Sequence, residues 1–372
     1  MGKKMLTDSQ IYAALNLTSG IGIARCRKLL KHFGSLQDIP GHSAEDYLQV
    51  KGIPNALAQT LADHAAFYER LEKEQALADR LGIRILTPAD AEFPQQFLAI
   101  DETPLAIYLR GTLANLGRSV SIVGSRVLSA YGERMTVHLA KQAAECGYTV
   151  ISGLAYGADA AAHTQAVRQH RPSIGILGSG LTKITPSGNE QVALEMLEHG
   201  GAILSELPLK VNANHSTFVR RNRLIAALGD AVIVTEGKID SGSLITAEYA
   251  RAFGKPCFAV PGQADNANSS GCNWLIKNHR SELVESFSDV WNVLHPGKPM
   301  PEKEDQAEPL NLSASQQQII DHLQKRAANT EELIVALHPD MNNFFGDLTY
   351  LEFMGLVQLD SDRKYYPSKI RK

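Results

Sequence analysis

The sequence lacks the features that would place a protein in or across a membrane. No window of its 372 residues approaches the run of about 20 apolar residues that a membrane-spanning helix needs. The start of the chain is basic but has no continuous apolar core of the kind found in secretion signals. We therefore expect a soluble, cytoplasmic protein with no membrane partner.

Closely spaced cysteines and an excess of one charge are also lacking. The four cysteines are far apart, with no CxxC pair and no histidine at zinc-finger spacing, so we expect free thiols and neither a metal nor another cofactor. Lys plus Arg number 37 and Asp plus Glu number 40, which gives a net charge of -3. This balance excludes a polycation wrapped in nucleic acid, so a nucleic-acid partner would need a local basic patch.

The amino-terminal residues predict a small helical domain, residues 1–75. The segment SGIGIARCRKLL places two glycines in a tight turn before a helix, and a related turn recurs in VKGIPNALAQTL. The two turns resemble helix-hairpin-helix units, in which backbone N–H groups meet a DNA phosphate without reading sequence. Glycine turns also join helices in many bundles, so a DNA-binding and a structural role both stay open. The helix predicted after the first glycine turn carries four basic residues: Arg25, Arg27, Lys28 and Lys31.

Residues 80–296 alternate short apolar strands with helical stretches. The strands are IRIL, LAIYLRG, VSIVG, TVIS, SIGIL, AILSE, AVIVT and CFAV, and from VSIVG onwards each is followed by about ten or more helical residues. That spacing is typical of right-handed βαβ crossovers, and continuous apolar runs suit strands buried on both faces. We predict an α/β domain with an extended Rossmann-like parallel sheet.

A linker and a third domain are predicted to follow. Residues 297–310 are rich in proline and charge, which is typical of a linker. Residues 311–372 show short helices and then a β-hairpin around Ser361 and Asp362, the order of a winged-helix domain. This segment has seven Lys plus Arg and eight Asp plus Glu. The balance argues against routine duplex binding, and it favours contact with a protein at least as much as contact with DNA.

The loops after the strands are rich in Gly, Ser and Arg. Ligands of open parallel sheets bind beyond the carboxyl ends of the strands, where small residues let N–H groups approach an oxyanion and arginine contacts phosphate. Five such strand ends with little acidic character favour a groove for a linear polyanion over a pocket for one nucleotide. The predicted site residues are Gly124, Ser125, Arg126, Ser152, Gly153, Gly157, Lys183, Arg221, Asn222, Arg223, Ser241, Gly242 and Ser243.

Three guanidinium groups crowd the segment FVRRNR, which is unfavourable unless an anion shares the site. Arg221 and Arg223 fall on different helical faces, so the pattern allows one to contact a ligand while the other pairs internally. Glu236, directly after the strand AVIVT, is a candidate to brace an arginine.

Two enzymatic interpretations are disfavoured by the motifs. Ser152, Asp159 and His163 suggest a hydrolase triad, but GxSxG is absent and all three lie in one turn and helix; Asp159 is expected to cap that helix or to order the turn. The first loop reads GSRVLSAYG instead of the GxGxxG of dinucleotide-binding oxidoreductases.

The motifs SIVGSR, ISGLAYGADAAAH, FVRRNRLIA, VTEG with SGSLITAEYA, and AVPG resemble, in this order, the DNA-processing protein A (DprA/Smf) family, over about residues 84–285. The resemblance implies a non-enzymatic homodimer, joined through the Rossmann-like domain, that binds single-stranded DNA in natural transformation and loads RecA recombinase. Family members usually carry a lysine in the loop after the strand SIGIL, where this chain has Ser187. Lys183 in the same loop is the candidate substitute.

Two alternatives from other functional classes stay open. A nucleotide-processing enzyme of the lysine-decarboxylase-like type has similar loops, and Glu248 in SGSLITAE is the candidate acid, although the PGG of that type is missing. A transcription regulator is the second alternative, and it rests on the winged-helix-like domain.

Overall fold

The structure, a computed structural model, describes residues 6–301, 312–353, 356–360 and 364–367. The chain divides into two units, Met1–Lys303 and Glu304–Lys372. The division falls within the predicted linker, of which residues 302–310 lie outside the described residues. In the described parts of the chain no helix is long and apolar enough to cross a membrane. All four cysteines are buried free thiols, as the sequence predicts.

The first unit begins with helices that pack around one apolar core. Capping residues fix where they start: the Thr7 side chain accepts from Gln10 N, and the Gln10 side chain accepts from Thr7 N. This part lies directly on the sheet domain, where Glu74 Oε1 accepts from Leu209 N at 2.7 Å. The helices are α1 (Asp8–Asn16), α2 (Ile23–Phe33), α3 (Ala44–Leu48), α4 (Asn55–Ala62) and α5 (His64–Arg80).

The described residues then form a sheet of nine strands in the order β1-β2-β6-β5-β4-β3-β7-β8-β9. Strands β3 to β9 pair in parallel, whereas β1 and β2 extend the sheet through antiparallel pairs. The strands are β1 (Arg84–Leu86), β2 (Ile107–Gly111), β3 (Ser119–Val123), β4 (Thr149–Ser152), β5 (Ser173–Ile176), β6 (Ala202–Ser205), β7 (Ala231–Val234), β8 (Cys257–Ala259) and β9 (Glu282–Leu283).

Helices cover both faces of this sheet. Val120 and Ile122 of β3 pack in one core, with side chains of the helix that follows, and Val123 packs in the core on the opposite face. The predicted Rossmann-like α/β architecture is therefore confirmed. The helices are α6 (Gln95–Leu98), α7 (Ala130–Glu145), α8 (Ala158–Arg168), α9 (Glu190–Glu198), α10 (His215–Leu228), α11 (Gly242–Ala252), α12 (Ser270–Lys277) and α13 (Phe287–Leu294).

The strand order creates a crevice beyond the carboxyl ends of the central strands β3 and β7. From β3 the chain adds β4, β5 and β6 on one side, and β7 then returns to the other side of β3. The loops that leave β3 and β7 therefore diverge at their carboxyl ends. Open α/β sheets bind ligands at such a point.

The second unit has its own apolar core, which includes Ile319, Leu323, Phe344 and Leu351. Its order of helices followed by a strand pair is the predicted order; the turn predicted at Ser361 and Asp362 lies outside the described residues, and the winged-helix assignment stays a prediction. The elements are α14 (Ala314–Lys325), α15 (Thr330–Leu337), α16 (Met341–Phe353), β10 (Val357–Leu359) and β11 (Tyr365–Pro367).

Candidate functional site

A pocket of about 340 Å³ opens in the crevice between the loops after β3 and β7. Helices α10 and α11 form its other walls. Lys238 adds a cation that the sequence interpretation missed. The predicted residues that line the pocket are Gly124, Ser125, Arg126, Arg221, Asn222, Ser241, Gly242 and Ser243.

Glycines are required where the loops after β3 and β4 touch. A Cβ on Gly124 would lie 2.7 Å from the Cβ of Ala158. Gly157 has φ +73°, and a Cβ there would lie 2.2 Å from the carbonyl oxygen of Ser125. Ala158 N also donates to that oxygen, at 3.0 Å. Gly157 thus supports the pocket from below and does not line it.

Arg126 and Phe218 lie side by side in the pocket wall. The Arg126 guanidinium is exposed and its carbon lies 4.9 Å from the centre of the Phe218 ring. No carboxylate in the described residues forms an ion pair with Arg126. Phe218 is half-buried, and the guanidinium carbon of Arg221 also lies near its ring, 6.0 Å from the centre. Reasoning from charge misses Phe218; the available signal is an aromatic residue one helical turn before Arg221.

Arg221 lies deeper and is almost fully buried. Its Nη1 donates to Gly153 O at 2.7 Å and also to Ile176 O, so it joins the loop after β4 and strand β5 to α10. Gly153 must be a glycine, since a Cβ there would lie 2.4 Å from Nη2 of Arg221. Burial lowers the pKa of Arg221 to about 10, while Asp159 acts in the opposite direction. Arg221 therefore stays charged at neutral pH beneath the pocket.

Asp159 orders the turn after β4. Its Oδ2 accepts from Gly153 N at 3.1 Å and from Ala155 N at 3.3 Å. Burial raises the pKa of this carboxyl, and the nearby Arg221 charge and the hydrogen bonds lower it. This buried carboxylate balances Arg221 and fixes the backbone that carries Gly153.

Ser152 and His163 have structural contacts inside the sheet domain. Ser152 Oγ donates to Ile122 O at 2.6 Å. His163 Nδ1 lies 2.7 Å from Ser173 Oγ, and burial, followed by the Arg221 charge, lowers the pKa of His163 to about 3. Ser152 and His163 are thus bonded to other groups, which contradicts a hydrolase triad. Neither residue lines the pocket.

Arg223 forms a buried ion pair instead of lining the pocket. Its Nη1 and Nη2 lie 2.9 and 2.6 Å from the two carboxylate oxygens of Glu206, and both side chains are buried. Glu102 and Arg220 extend this network at its edge. The crowding in FVRRNR is therefore relieved partly by acids of the chain itself.

Among the described residues no arginine pairs with Glu236, contrary to the sequence interpretation. Its carboxylate accepts from Ser129 N at 2.9 Å and from Ser129 Oγ at 2.5 Å. Gly132 makes room for it, because a Cβ there would lie 2.7 Å from the carboxylate. Glu236 holds the amino terminus of α7, where negative charge is favourable.

The amino terminus of α11 presents backbone donors to the pocket. Ser241 precedes the helix without a side-chain cap, and its Oγ lies 2.5 Å from Ser243 Oγ. The N–H groups of Gly242 and Ser243 have no acceptor one turn earlier in the helix. Asn222 Nδ2 donates to Gly242 O at 3.0 Å and so fixes α11 to α10.

Lys183 lies on the loop after β5, exposed and outside the pocket lining. Tyr156, on the loop after β4, is 53% exposed and its hydroxyl would lie 3.1 Å from a Cβ on Gly188. The loop that lacks the family lysine thus carries another exposed cation and lies beside an exposed aromatic ring.

Comparison with known families decides what this arrangement belongs to. The model of the family described as DNA recombination-mediator protein A matches residues 84–295, which include every predicted site residue. The chain belongs to the DNA recombination-mediator protein A family.

Relatives in this family match to different extents. Protein Smf of Escherichia coli is 43% identical over 210 residues, which are 56% of this chain and 56% of that protein. The chain thus spans little more than half of that relative. The putative DNA processing protein DprA of Mycobacterium tuberculosis is 31% identical over 338 residues, 86% of each chain.

Solved structures of DNA processing protein A share the fold. The protein from Streptococcus pneumoniae superposes with a TM-score of 0.63 at 29% identity, covering 77% of this chain and 97% of that one. The protein from Helicobacter pylori, described for its single-stranded DNA binding mode, gives 0.51 at 28% identity, covering 57% and 95%.

Proposed function

We propose that this recombination-mediator protein binds single-stranded DNA without sequence preference in the pocket between β3 and β7. The observation that carries the proposal is the pairing of exposed Arg126 with the half-buried ring of Phe218. Single-strand binders combine cations that track phosphates with aromatic rings on which bases stack. One side chain of each kind meets here at the mouth of a pocket.

The pocket has separate places for a phosphate and for a base. A phosphate between Arg126 and the start of α11 would accept from the guanidinium and from the N–H groups of Gly242 and Ser243. The adjoining base would stack on the exposed part of the Phe218 ring, beside or in place of the Arg126 guanidinium. Buried Arg221 adds positive potential from below and is held in place, because its Nη1 donates to two carbonyl oxygens.

The relatives support this proposal. The Helicobacter pylori protein is described as binding single-stranded DNA, and the family is described as recombination mediators. The site would contact two groups that every nucleotide has, a phosphate and a planar base. We therefore expect affinity to depend little on sequence and strongly on salt.

The test is the variant Arg126→Ala in the full chain. We expect it to weaken binding of single-stranded oligonucleotides of all sequences by about tenfold and to lower the salt slope by about 0.7, the value for one phosphate contact. Fluorescence anisotropy at two salt concentrations measures both quantities.

Arg110→Ala is the matched control for this test. Arg110 is exposed too, but it pairs with Ile203 near the amino-terminal end of β6, at the edge of the sheet away from the pocket. Its loss should leave affinity within twofold of the parent, on the order expected for a remote surface charge. Equal losses in both variants would show that the pocket is not the site.

The cellular role that we propose is the protection of incoming single-stranded DNA in natural transformation, in the cytoplasm, and the loading of RecA recombinase onto that DNA. The family description as a recombination mediator supports the loading role. The measurement is RecA ATPase activity on single strands already covered by a single-strand-binding protein. Addition of the parent should raise this activity, and addition of Arg126→Ala should raise it less; an equal rise with both would contradict the role of the pocket in loading.

We further propose a homodimer formed through the sheet domain. Leu283 on edge strand β9 is 45% exposed, and the stacked rings of Tyr249 and Phe253 on α11 are only partly buried. Trp274 of α12 is likewise partly buried. An apolar surface beside an open sheet edge suits self-association.

Leu283→Asp tests the dimer. Light scattering after gel filtration should show the parent as a dimer and Leu283→Asp as a monomer at low micromolar concentration. Leu48→Asp is the control, because Leu48 in the amino-terminal helices is also 45% exposed. A parent that is monomeric, or a Leu283→Asp dimer, would contradict the proposed surface.

We propose that the function is binding and not catalysis. Glu248, the candidate acid of a nucleotide-processing enzyme, lies outside the pocket lining and pairs with Arg280 at 2.7 Å and with Arg251 at 3.3 Å. Release of base from nucleoside monophosphates that is lost in Glu248→Gln would contradict this interpretation.

A further inference from the structure

We propose that the paired glycine hairpins of the amino-terminal helices form a second nucleic-acid surface, which binds duplex DNA through its phosphates. The two hairpin segments are residues 17–37, with α2, and residues 49–62, with α4. They carry four and one Lys plus Arg, respectively, and no Asp or Glu, in a chain whose net charge is -3. This is the local basic patch that an otherwise acidic protein needs for a nucleic-acid partner.

The fold brings the two hairpins together at their turns. Gly20 and Gly52 have φ values of +87° and +95°, so each turn needs glycine. Arg25 donates to the carbonyl oxygens of both, from Nε to Gly52 O at 3.1 Å and from Nη1 to Gly20 O. Because one guanidinium holds both turns, their spacing is fixed.

Besides Arg25, the two hairpin segments carry four exposed cations, of which Lys28 and Lys51 lie at the joined turns. The Nζ of Lys28 lies 3.2 Å from the position of a Cβ on Gly52, so the cation of the first hairpin stands over the turn of the second. In the described part of the chain none of these side chains has an ion-pair partner. The four residues are Arg27, Lys28, Lys31 and Lys51.

The composition of this surface favours duplex over single-stranded DNA. Phe33 is the one Phe, Tyr or Trp in the two hairpin segments, and its ring is stacked on His42 with centroids 4.2 Å apart. A single strand would need accessible rings for base stacking. The start of α2 has no side-chain cap, so its first N–H groups are available as donors. Together with the cations they suit the regularly spaced phosphates of a duplex, and they read no sequence.

Two variants of the full chain test the proposal. Lys28→Glu/Lys51→Glu reverses one cation at each hairpin. Gly22→Val places a side chain at the entrance of α2, where the backbone is extended with φ -127°. Among the described residues, apart from its neighbours in the chain, no atom lies within 4 Å of the added Cβ, so folding should be unaffected. Lys73→Glu/Arg80→Glu on α5 is the control with equal charge change. Each protein is titrated with a blunt duplex of about two helical turns and with either of its strands.

We expect the parent to bind the duplex and Lys28→Glu/Lys51→Glu to bind it about tenfold more weakly at about 50 mM salt, with a salt slope lower by about 2. Gly22→Val should also weaken duplex binding, while single-strand binding stays within about twofold of the parent. The control should bind the duplex as the parent does. A parent that does not bind the duplex, an unchanged duplex affinity in both hairpin variants, an equal loss in the control, or an equal loss for single strands would overturn the proposal. Arg126→Ala, by contrast, should bind the duplex like the parent, so this surface and the pocket can fail independently.

Discussion

The candidate site has two layers of polar residues, an exposed layer at the pocket mouth and a buried layer beneath it. Arg126 in the exposed layer has no carboxylate partner among the described residues, and it lies beside Phe218. Arg221 and Arg223, five residues or less from Phe218 in sequence, are buried and bonded to carbonyl oxygens or to Glu206. The arginines of the site therefore have different roles: Arg126 is available to a ligand, whereas Arg221 and Arg223 hold the surrounding structure together.

This difference shows that charge density in a sequence does not measure the charge offered to a ligand. The buried layer holds the loops in place and raises the potential at the site. The exposed layer makes the contacts. Substitutions in the buried layer should therefore change stability, and those in the exposed layer should change affinity.

The largest expected effect is on stability in the buried layer. Arg223→Met should lower the free energy of unfolding by about 3 kcal/mol, because it leaves Glu206 buried without its closest partner. Arg126→Met, with the same change of side chain at an exposed position, should change it by less than about 0.5 kcal/mol. Urea titrations measure both values, and the double variant Arg223→Met/Glu206→Leu should recover most of the loss. Similar effects of the two single variants would erase the distinction between the layers.

The next effect is on affinity in the exposed layer. Phe218→Ala should weaken single-strand binding by about 2 kcal/mol, or about 30-fold, through loss of one stacked base. Phe218→Tyr keeps the ring and should bind within about threefold of the parent. Anisotropy titrations give the affinities. If the alanine and tyrosine variants lost affinity equally, stacking on this ring would not explain binding.

A smaller effect concerns the pH dependence of stability. The pKa of buried His163 is lowered from 6.5 to about 3, so the unfolded chain binds this proton more tightly than the folded one. The contribution of His163 to stability is complete above pH 6.5 and is lost as the pH falls towards 3. Between about pH 7 and about pH 5.5 the loss is about 1 kcal/mol.

The variant His163→Asn isolates the contribution of His163 to the pH dependence of stability. The fall in unfolding free energy from about pH 7 to about pH 5.5 should be about 1 kcal/mol smaller than in the parent. His170→Asn removes an exposed histidine instead, at a left-handed φ of +50° that asparagine tolerates, and should keep the parental pH dependence. An unchanged slope in His163→Asn would show that His163 is not the titrating group.

The smallest effect tests the loop that lacks the family lysine. Lys183→Ala should weaken binding of long single strands by about threefold and lower the salt slope by about 0.7, while an oligonucleotide that fills only the pocket should bind as before. Ser187→Lys should restore the long-strand affinity in that background. Unchanged binding of long strands by Lys183→Ala would show that Lys183 does not contact the DNA.

The sequence predicts the sheet domain well and predicts that the loops after its strands meet, for a physical reason. Buried parallel strands are continuous apolar runs, and their carboxyl ends meet at one side of the sheet, so segments such as GSR after β3 and SGS at the start of α11 had to lie together. The strand pairing of β1 and β2 was not evident, since short strands carry no mark of orientation.

The fate of single side chains was less predictable. Arg223 pairs with Glu206 and Ser129 with Glu236, and these partners are 17 and 107 residues apart in sequence. Such contacts follow from how β6 and β7 are ordered in the sheet, which local patterns do not encode. Phe218 was missed because a single aromatic residue on a helix is usually a core residue.

The close contact of Gly157 with the Ser125 carbonyl has a consequence for binding kinetics. The loop that carries Arg126 is fixed to the start of α8 by the Ala158 N–H bond and has no room to shift inward. A site that is already formed before its ligand arrives has little to reorganise, so association should approach the rate of electrostatically steered encounter. Variants at the pocket mouth should then differ mainly in how long the DNA stays bound.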